Sequence, residues 1–551
     1  MISVLSTNIT SPLGFTTEQN YQAVLTGTSA LKRYEGLWGL PEPFSASLFS
    51  EEQKAALALD GYTRFESLAI HSVREALSHI QLDVASSRVV FILSTTKGNV
   101  ESLDTPNQEE RYFPSKAAQT IADALGVSTT PIVVCNACVS GLSAQLLANN
   151  LLSAGLYDYA IVVGAEVQSK FIVSGFQSLK AVSDEPCRPF DIERIGLNLG
   201  EAAATIIFAR TSSKESWCLM DGATCNDAFH NISPSPKADG CTKAIEAVMK
   251  GWDKSQLATI CVHGTATLYN DQMESVAIQR IGLSDIPLSA LKGYYGHTMG
   301  AAGVLETILT MRATDDGVVL PSKGFTEVGV SGKVSISNEI LQTNKTSFLK
   351  ILSGFGGSNV AALFSKTTEN RGRTTDNKLH KTHTIKLSSK EGKTLTDIYK
   401  QQIGNYPKFY KMDILTRLAF VASELLIKDM GETQEEPAII LFNHSSSIVA
   451  DRQYLGTICD AENFFPSPSV FVYTLPNITT GEIAIRHQLC GETSFYILPE
   501  KDEALMSQIL EATLNATNAK SAISGWIDAE SDTKFECELS NYIIQPTIWN
   551  N

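Results

Sequence analysis

Residues 132–141 read Ile-Val-Val-Cys-Asn-Ala-Cys-Val-Ser-Gly, and the pattern of this segment is the strongest indication of a fold class. A short β-branched run gives way to small and polar residues, and from Val139 onward apolar residues recur at helical spacing. Cys138 therefore lies where a strand passes into a helix. A second apolar run, Tyr159 to Val163, follows the helix. The pattern predicts a β-α-β unit with a right-handed crossover.

The position of Cys138 predicts a reactive thiol. Unpaired N–H groups and the helix macrodipole favour an anion at a helix N-terminus, so we expect a lowered thiol pKa. Cys135, three residues earlier, is interpreted as an ordinary buried cysteine of an α/β core, as most free cysteines are.

Composition excludes several classes of protein. The chain has 551 residues, of which 43% are hydrophobic and 19% are charged, with a net charge of −15. This length predicts about two to four domain-sized units. The chain contains neither a long apolar run nor a basic N-terminal segment followed by an apolar one, which predicts a cytosolic protein without a membrane partner. Its negative charge disfavours nucleic acid, and its cysteine spacing predicts neither a disulfide framework nor a zinc site.

Polar or glycine-rich segments end the apolar strands of the later chain. Open α/β folds place their ligand sites at such strand ends. The segments are His263-Gly264-Thr265, Lys292, Gly293-Tyr294-Tyr295-Gly296-His297 and Gly354-Phe355-Gly356-Gly357-Ser358-Asn359.

The last third of the chain is separated by a polar segment. Residues 367–394 are rich in Lys, Thr, Asn, Arg and His, which predicts a linker. Beyond it, Gly491 echoes Gly126, and residues 526–530 echo residues 162–166. We therefore predict that residues 395–551 are a degenerate copy of the N-terminal half that lacks the nucleophile. Coincidental α/β similarity is the alternative.

The motifs in their order make the chain resemble a β-ketoacyl-acyl-carrier-protein synthase of the thiolase superfamily over about residues 1–366. Residues 137–141 resemble the nucleophile motif of that family, with Asn136 where Thr is usual. Residues 263–267 resemble its first histidine motif, with Ala266 in place of glycine. Further matches are Lys292, residues 296–303, Arg188-Pro189-Phe190-Asp191 and residues 354–359, whereas residues 200–204 depart from a more glycine-rich family pattern.

The resemblance implies a role for each candidate residue. Cys138 is the nucleophile, His263 and His297 stabilise an enolate, and Lys292 orients this pair. The supporting residues are Glu306, which is expected to hold Lys292, and Gly356 and Gly357, which flank a movable acyl gate at Phe355. The backbone N–H groups of Cys138 and Phe355 form the oxyanion hole. No metal and no cofactor are implied.

The resemblance also implies an architecture and a reaction. The fold is a five-layered α-β-α-β-α core of two halves, residues 1–215 and 216–366, followed by the degenerate half. The reaction is a decarboxylative Claisen condensation of an acyl thioester on Cys138 with malonyl-acyl-carrier protein, in fatty-acid or polyketide and aryl-polyene-type synthesis. Acyl carrier protein is the implied partner. A homodimer through the first half is expected, unless the extra half covers that surface or mimics a chain-length factor.

Other readings of the motifs stay open at this point. A silent partner subunit of the chain-length-factor type would lack the cysteine, and a degradative thiolase would carry a second cysteine in the late glycine-rich loop. A cysteine hydrolase would leave Lys292 and His297 unexplained, and an acyltransferase is a further alternative. A pure scaffold is the alternative that is not an enzyme.

Overall fold

The computed structural model describes residues 2–104, 109–210, 216–366, 377–431, 436–517 and 519–546. Its strands are β1 (Ser3–Thr10), β2 (Lys32–Tyr34), β3 (Phe44–Ser47), β4 (Val89–Ser94), β5 (Ile132–Val134), β6 (Tyr159–Glu166), β7 (Leu199–Gly200), β8 (Ala202–Ala209), β9 (Cys218–Asn226), β10 (Leu257–Cys261), β11 (Pro287–Ser289), β12 (Val318–Val319), β13 (Ser335–Ile336), β14 (Leu341–Gln342), β15 (Ser347–Gly354), β16 (Ser358–Ser365), β17 (Asn377–Ser388), β18 (Ala438–Asn443), β19 (Thr493–Ile497), β20 (Ser521–Ser531) and β21 (Lys534–Pro546).

The helices connect these strands and cover their faces. They are α1 (Thr17–Leu25), α2 (Glu51–Leu57), α3 (Arg64–Ser78), α4 (Pro114–Leu125), α5 (Ser140–Ser153), α6 (Lys170–Ser178), α7 (Asp239–Met249), α8 (Leu268–Arg280), α9 (Lys292–Tyr295), α10 (Ala302–Asp315), α11 (Leu395–Gln402), α12 (Ile414–Met430), α13 (Ile448–Leu455), α14 (Pro468–Val472), α15 (Ile478–His487) and α16 (Glu503–Ala516). Within the described ranges, no helix combines the length and the apolar character that a membrane crossing requires.

One large mixed sheet runs through all three parts of the chain. Its order is β13-β11-β10-β15-β16-β9-β1-β8-β6-β4-β5-β19-β18-β20-β21-β17. The contact between β1 and β9 is a single residue pair, Ser3 with Cys218. Because one pair is too short a ladder to keep two sheets coplanar, this junction divides the first half from the second.

Two buried helices lie between the first and second halves. Helix α5 contacts β4 and β6 of the first half and β16 of the second, while α10 contacts β8 of the first half and β10 and β15 of the second. Nearly every residue of α10 is buried, so both of its faces are packed. Helix α3 covers the outer face of the first sheet and α7 that of the second. The layers therefore run helix, sheet, helix, sheet, helix.

The last third repeats the strand arrangement of the first half. The order β17-β21-β20-β18-β19 matches β1-β8-β6-β4-β5, in both chain order and strand direction. The two sets meet where β19 pairs antiparallel with β5, with Tyr496 opposite Val134 and Ile497 opposite Val133. Helix α16 takes the place of α5, and Asp502 is its N-cap residue. We name residues 377–546 the extra half.

The prediction of a linker at residues 367–394 is wrong for most of the residues that the structure describes there. Residues 377–388 form β17, which pairs with β21 along most of its length, and residues 367–376 lie outside the described residues. Strand β17 stands at the end of the sheet and exposes alternate side chains, such as His380. An edge strand with one face in water has a polar composition, which is the reason that its sequence resembles a linker.

Candidate active site

Cys138 lies in a tight turn between β5 and α5. Residues Ala137–Val139 form a single 3-10 turn, and Ala137 has a positive φ of 49°. The Ser140 hydroxyl closes the turn, since it accepts from the Asn136 N–H at 2.8 Å and donates to the Ala137 carbonyl at 2.6 Å. Cys138 is 8% exposed and Cys135 is fully buried. The strand-to-helix position expected from the sequence is therefore the observed one.

The expected lowering of the Cys138 pKa is wrong. Burial raises the pKa of this thiol to about 12. The positive charge of Lys292 and the backbone N–H groups of Cys138 and Phe355 act in the opposite direction, while the carboxyl of Glu166 adds to the increase. The local helix terminus favours an anion, but loss of water around the sulfur outweighs it. Cys138 is a neutral thiol in the free protein at neutral pH.

Two histidines from the second half converge on this thiol. His263 follows β10 and His297 follows α9. The Cys138 sulfur and one ring nitrogen of each histidine all lie within 4.8 Å of one another. The two rings stand edge to face, with centroids 5.0 Å apart and planes at 81°. Three segments that are far apart in the sequence thus form one site.

Both imidazoles are neutral, and one of them has an assigned tautomer. Burial first, and then the charge of Lys292, lowers the pKa of His263 and His297 well below the ordinary value. His297 Nδ1 accepts from the Met299 N–H at 3.3 Å, so Nε2 carries the proton. In the described residues, His297 Nε2 and His263 Nδ1 are buried without a hydrogen-bond partner. His297 therefore presents a free N–H donor.

Lys292 is fixed by a buried ion cluster. Its Nζ donates to the His263 carbonyl at 2.6 Å and to Glu306 Oε1 at 2.8 Å. The second oxygen of Glu306 accepts from Lys350 Nζ at 2.6 Å. Burial alone would raise the Glu306 pKa, but the charges of Lys292 and Lys350 hold it below its usual value. The cluster fixes the backbone of His263 through its carbonyl.

The backbone N–H groups of Phe355 and of Cys138 itself are close enough to the Cys138 sulfur to oppose the rise of its pKa. Gly356 and Gly357 follow Phe355 with φ of +86° and +75°, a conformation that favours glycine. A Cβ at Gly357 would lie 2.7 Å from Asn226 Oδ1, which shows how closely this loop packs. The Phe355 ring stacks on Phe176, with centroids 6.0 Å apart.

Cys138 contributes to the lining of two cavities. A cleft of about 380 Å³ contains the sulfur and both imidazoles, and exposed Ile195 and Tyr269 stand along it. Its volume is in the range of small-molecule sites. A second cavity of about 20 Å³ is lined by Ile172, Phe176 and Met299 of the core and by Phe471 and Leu475 of the extra half. The extra half therefore helps to enclose the space next to the nucleophile.

Cys138, His263 and His297 are also a possible metal-ligand set. Within the described ranges they are the group of metal-binding residue types whose donor atoms lie close enough to share an ion. Sulfur and imidazole are ligands that Zn²⁺ takes, but the thiol must first lose its proton. The absence of a metal requirement stays a prediction.

Sequence reasoning missed two kinds of residue at this site. Lys350 carried a signal, because a lysine inside the apolar run Phe348 to Leu352 has to find a buried partner. Phe471 and Leu475 carried none, since apolar residues of the extra half reach the cavity only through tertiary packing.

Comparisons with known proteins identify the family. Family models described as the N-terminal and C-terminal domains of β-ketoacyl synthase match residues 2–214 and 218–326. The ketoacyl synthase alpha subunit of the tetracenomycin polyketide synthase from Streptomyces glaucescens is 28% identical over 354 residues, which are 56% of this chain and 83% of the relative. The 3-oxoacyl-[acyl-carrier-protein] synthase 2 of Staphylococcus aureus strain COL is 24% identical over 401 residues, or 65% and 96% of the two chains.

A solved structure extends the likeness to the whole chain. The PfaC keto synthase-chain length factor superposes with a TM-score of 0.78 at 14% identity, and the match covers 100% of this chain and 79% of that one. This likeness concerns the fold alone. It confirms the predicted fold class, a thiolase-like core of two halves with a further half-domain of the same type.

Proposed function

We propose the reaction of this chain from one premise, that the chain belongs to the β-ketoacyl synthase family. In that reaction an acyl group on Cys138 is condensed with malonyl-acyl-carrier protein, carbon dioxide leaves, and 3-oxoacyl-acyl-carrier protein is formed. The single observation that carries the proposal is the convergence of the Cys138 sulfur and the two imidazoles within 4.8 Å at the cleft.

The first step is acyl transfer to Cys138. The sulfur attacks the thioester carbonyl, and because the free thiol is neutral, its proton passes to a neighbouring neutral imidazole. The developing oxyanion accepts hydrogen bonds from the backbone N–H groups of Cys138 and Phe355. When the tetrahedral intermediate collapses, the carrier thiol leaves with the proton from the imidazole. Atoms and charges balance without a cofactor.

The second step forms the carbon–carbon bond. The bond between the malonyl carboxylate and the α-carbon breaks, and its electron pair becomes an enolate. The enolate oxygen accepts from His297 Nε2, a buried donor that has no other partner among the described residues, and from His263. The enolate carbon attacks the acyl carbonyl carbon, the Cys138 thiolate is expelled, and it takes up a proton from solvent water. Lys292 keeps His263 in place through its carbonyl.

Acyl carrier protein is the proposed partner, and the extra half is proposed to act as a built-in partner of the catalytic halves. The likeness to a keto synthase-chain length factor over the whole chain supports the second point. A chain-length-factor-like role for the catalytic halves is disfavoured, since Cys138, His263 and His297 meet at one site. Fatty-acid, polyketide and aryl-polyene-type synthesis all fit this chemistry.

Incubation with hexanoyl- and malonyl-acyl-carrier protein tests the proposal. We expect 3-oxooctanoyl-acyl-carrier protein by mass spectrometry and a hexanoyl adduct on Cys138. Cys138→Ala should remove both, whereas His297→Ala should keep the adduct and lose condensation by about 100-fold or more. His79→Ala, on an exposed side chain, is the control and should match the unchanged protein. A hexanoyl adduct without condensation in the unchanged protein would indicate a simple acyltransferase. The absence of an adduct would refute the assignment of Cys138 as the nucleophile.

A further inference from the structure

Asn477 stands at a helix start but does not cap its helix. It precedes α15 in the extra half, and its side chain makes no capping hydrogen bond. Asparagine is among the preferred N-cap residues because its side chain satisfies a free N–H of the first turn. Asn477 is 2% exposed and uses its Nδ2 elsewhere, as a donor to the Phe355 carbonyl at 2.8 Å. Its amide therefore serves a loop of another part of the chain.

The orientation of this amide is fixed, and it leaves one atom without a partner. Because the Phe355 oxygen is an acceptor, the side chain must turn Nδ2 toward it. Asn477 Oδ1 is then buried without a hydrogen-bond partner among the described residues. A buried acceptor without a hydrogen-bond partner costs free energy. Asn477 therefore gives up the capping hydrogen bond of its own helix and makes the contact with Phe355 instead.

The start of α15 lies directly against the loop that carries Phe355. A Cβ at Gly481 would lie 2.6 Å from the Gly356 oxygen, and a Cβ at Gly356 would lie 2.8 Å from Asn477 Nδ2. On its other side, the Gly356 N–H donates to the Asn231 carbonyl at 2.7 Å, and Asn231 Nδ2 donates to Glu482 Oε1 at 2.6 Å. The loop is thus held between the second half and the extra half.

The extra half also holds the segment that carries the nucleophile. Asn136 Oδ1 accepts from the Phe495 N–H at 2.7 Å, and the Cys135 N–H donates to the Phe495 carbonyl at 3.2 Å. Both N–H groups that face the Cys138 sulfur therefore belong to segments fixed by the extra half.

We infer that Asn477 is a positioning residue for acyl transfer: its amide holds the Phe355 carbonyl and so keeps the Phe355 N–H at the place where the oxyanion forms. The inference rests on the proposed function. Without the Nδ2 donor, the glycine-rich loop loses a fixed point next to Phe355. The enolate donors lie on His263 and His297, whereas the Asn477 amide donates to the Phe355 carbonyl, so the two partial reactions should respond differently.

The test measures these two partial reactions separately, with the full chain. Hexanoyl-pantetheine reports acyl transfer to Cys138 by protein mass, and malonyl-pantetheine reports decarboxylation by released carbon dioxide. We expect Asn477→Ala to lower the rate constant for acylation of Cys138 by about 10- to 100-fold with little change in the half-saturating concentration of hexanoyl-pantetheine, because the oxyanion hole is displaced and not removed. Decarboxylation should stay within about 2-fold. Asn477→Leu, which retains the volume but has no donor, should show the same split.

Asn443→Ala is the matched control. Asn443 is also a buried asparagine of the extra half, but its side-chain amide makes its hydrogen bonds to a nearby residue. It donates to the Ser446 carbonyl at 2.9 Å and accepts from the Ser446 N–H at 3.1 Å. The Asn443→Ala substitution should lower the midpoint of thermal unfolding, and it should not slow acyl transfer more than decarboxylation. Equal losses in both partial reactions for Asn477→Ala, the same split for Asn443→Ala, or unchanged acyl transfer in the Asn477 variants would overturn the inference. A lack of both partial reactions in the unchanged protein would instead refute the proposed function.

Discussion

Cys138 shows how the surroundings of one residue reverse a local expectation. The start of α5 lies at the sulfur, and its N–H groups favour the thiolate, as the sequence suggested. However, the sulfur is buried, and this burial raises the pKa of the thiol to about 12. The desolvation of a charge in a buried site exceeds what a helix terminus supplies, which is typically below about 2 kcal/mol. The proposed enzyme therefore needs an imidazole to remove the proton.

The first prediction concerns this thiol. In the absence of substrate, alkylation of Cys138 by iodoacetamide should rise about tenfold per pH unit from pH 7 to about pH 10 without reaching a plateau, because the thiolate is the nucleophile and stays a small fraction below its pKa. The measurement is the mass of the peptide that contains Cys138. Free cysteine in solution is the reference and should reach its plateau near pH 9. A plateau for Cys138 below about pH 8 would mean that its pKa is lowered after all.

At the scale of elements, the site depends on the close crossing of α5 and α10. A Cβ at Gly141 would lie 2.7 Å from the Gly300 oxygen, and a Cβ at Gly303 would lie 2.4 Å from the Leu142 nitrogen. These distances are too short for any side chain, so the two helices touch at their backbones. The first residues of both helices adjoin the turns that carry Cys138 and His297, and the crossing therefore brings nucleophile and imidazole together.

The second prediction follows from this crossing. Gly141→Ala should lower the free energy of unfolding by about 1–3 kcal/mol, because the added methyl group meets backbone atoms that cannot move aside. Urea denaturation measures the change. Gly456→Ala is the control, since Gly456 has φ of −58° and its Cβ would meet neighbours no closer than 3.4 Å. Equal stability of the two variants would show that the crossing tolerates a wider spacing.

At the scale of the whole molecule, the extra half occupies the edge of the first half. Strand β19 pairs with β5, so the β5 edge has no free N–H or C=O row for a second chain. A buried ion pair spans the same seam, where Lys97 Nζ donates to Asp451 Oδ1 at 2.7 Å. Tyr112 and Ser447 also donate to this carboxylate. The homodimer expected from the family resemblance lies on the first half, and the extra half already covers one edge of that half.

The third prediction is an oligomeric state. The full chain should have the mass of one chain by light scattering, because its own extra half satisfies β5. A chain ending at residue 366 should associate with itself through the exposed edge, provided that circular dichroism shows it folded. A full chain at twice its mass, together with an unchanged state after truncation, would contradict the role given to the β5–β19 seam.

The amino-acid pattern was enough to predict the β-α-β unit around Cys138, the candidate residues His263, His297 and Lys292, and a further half, because strand runs, helical spacing and motif order are local. The neutral thiol, the Lys350 partner of Glu306, the strand at residues 377–388 and the hydrogen bond from Asn477 to Phe355 could be found only in the folded chain. Each of these features depends on burial or on pairing between residues that are distant in the sequence. Local periodicity does not indicate which surfaces of the chain will pack together.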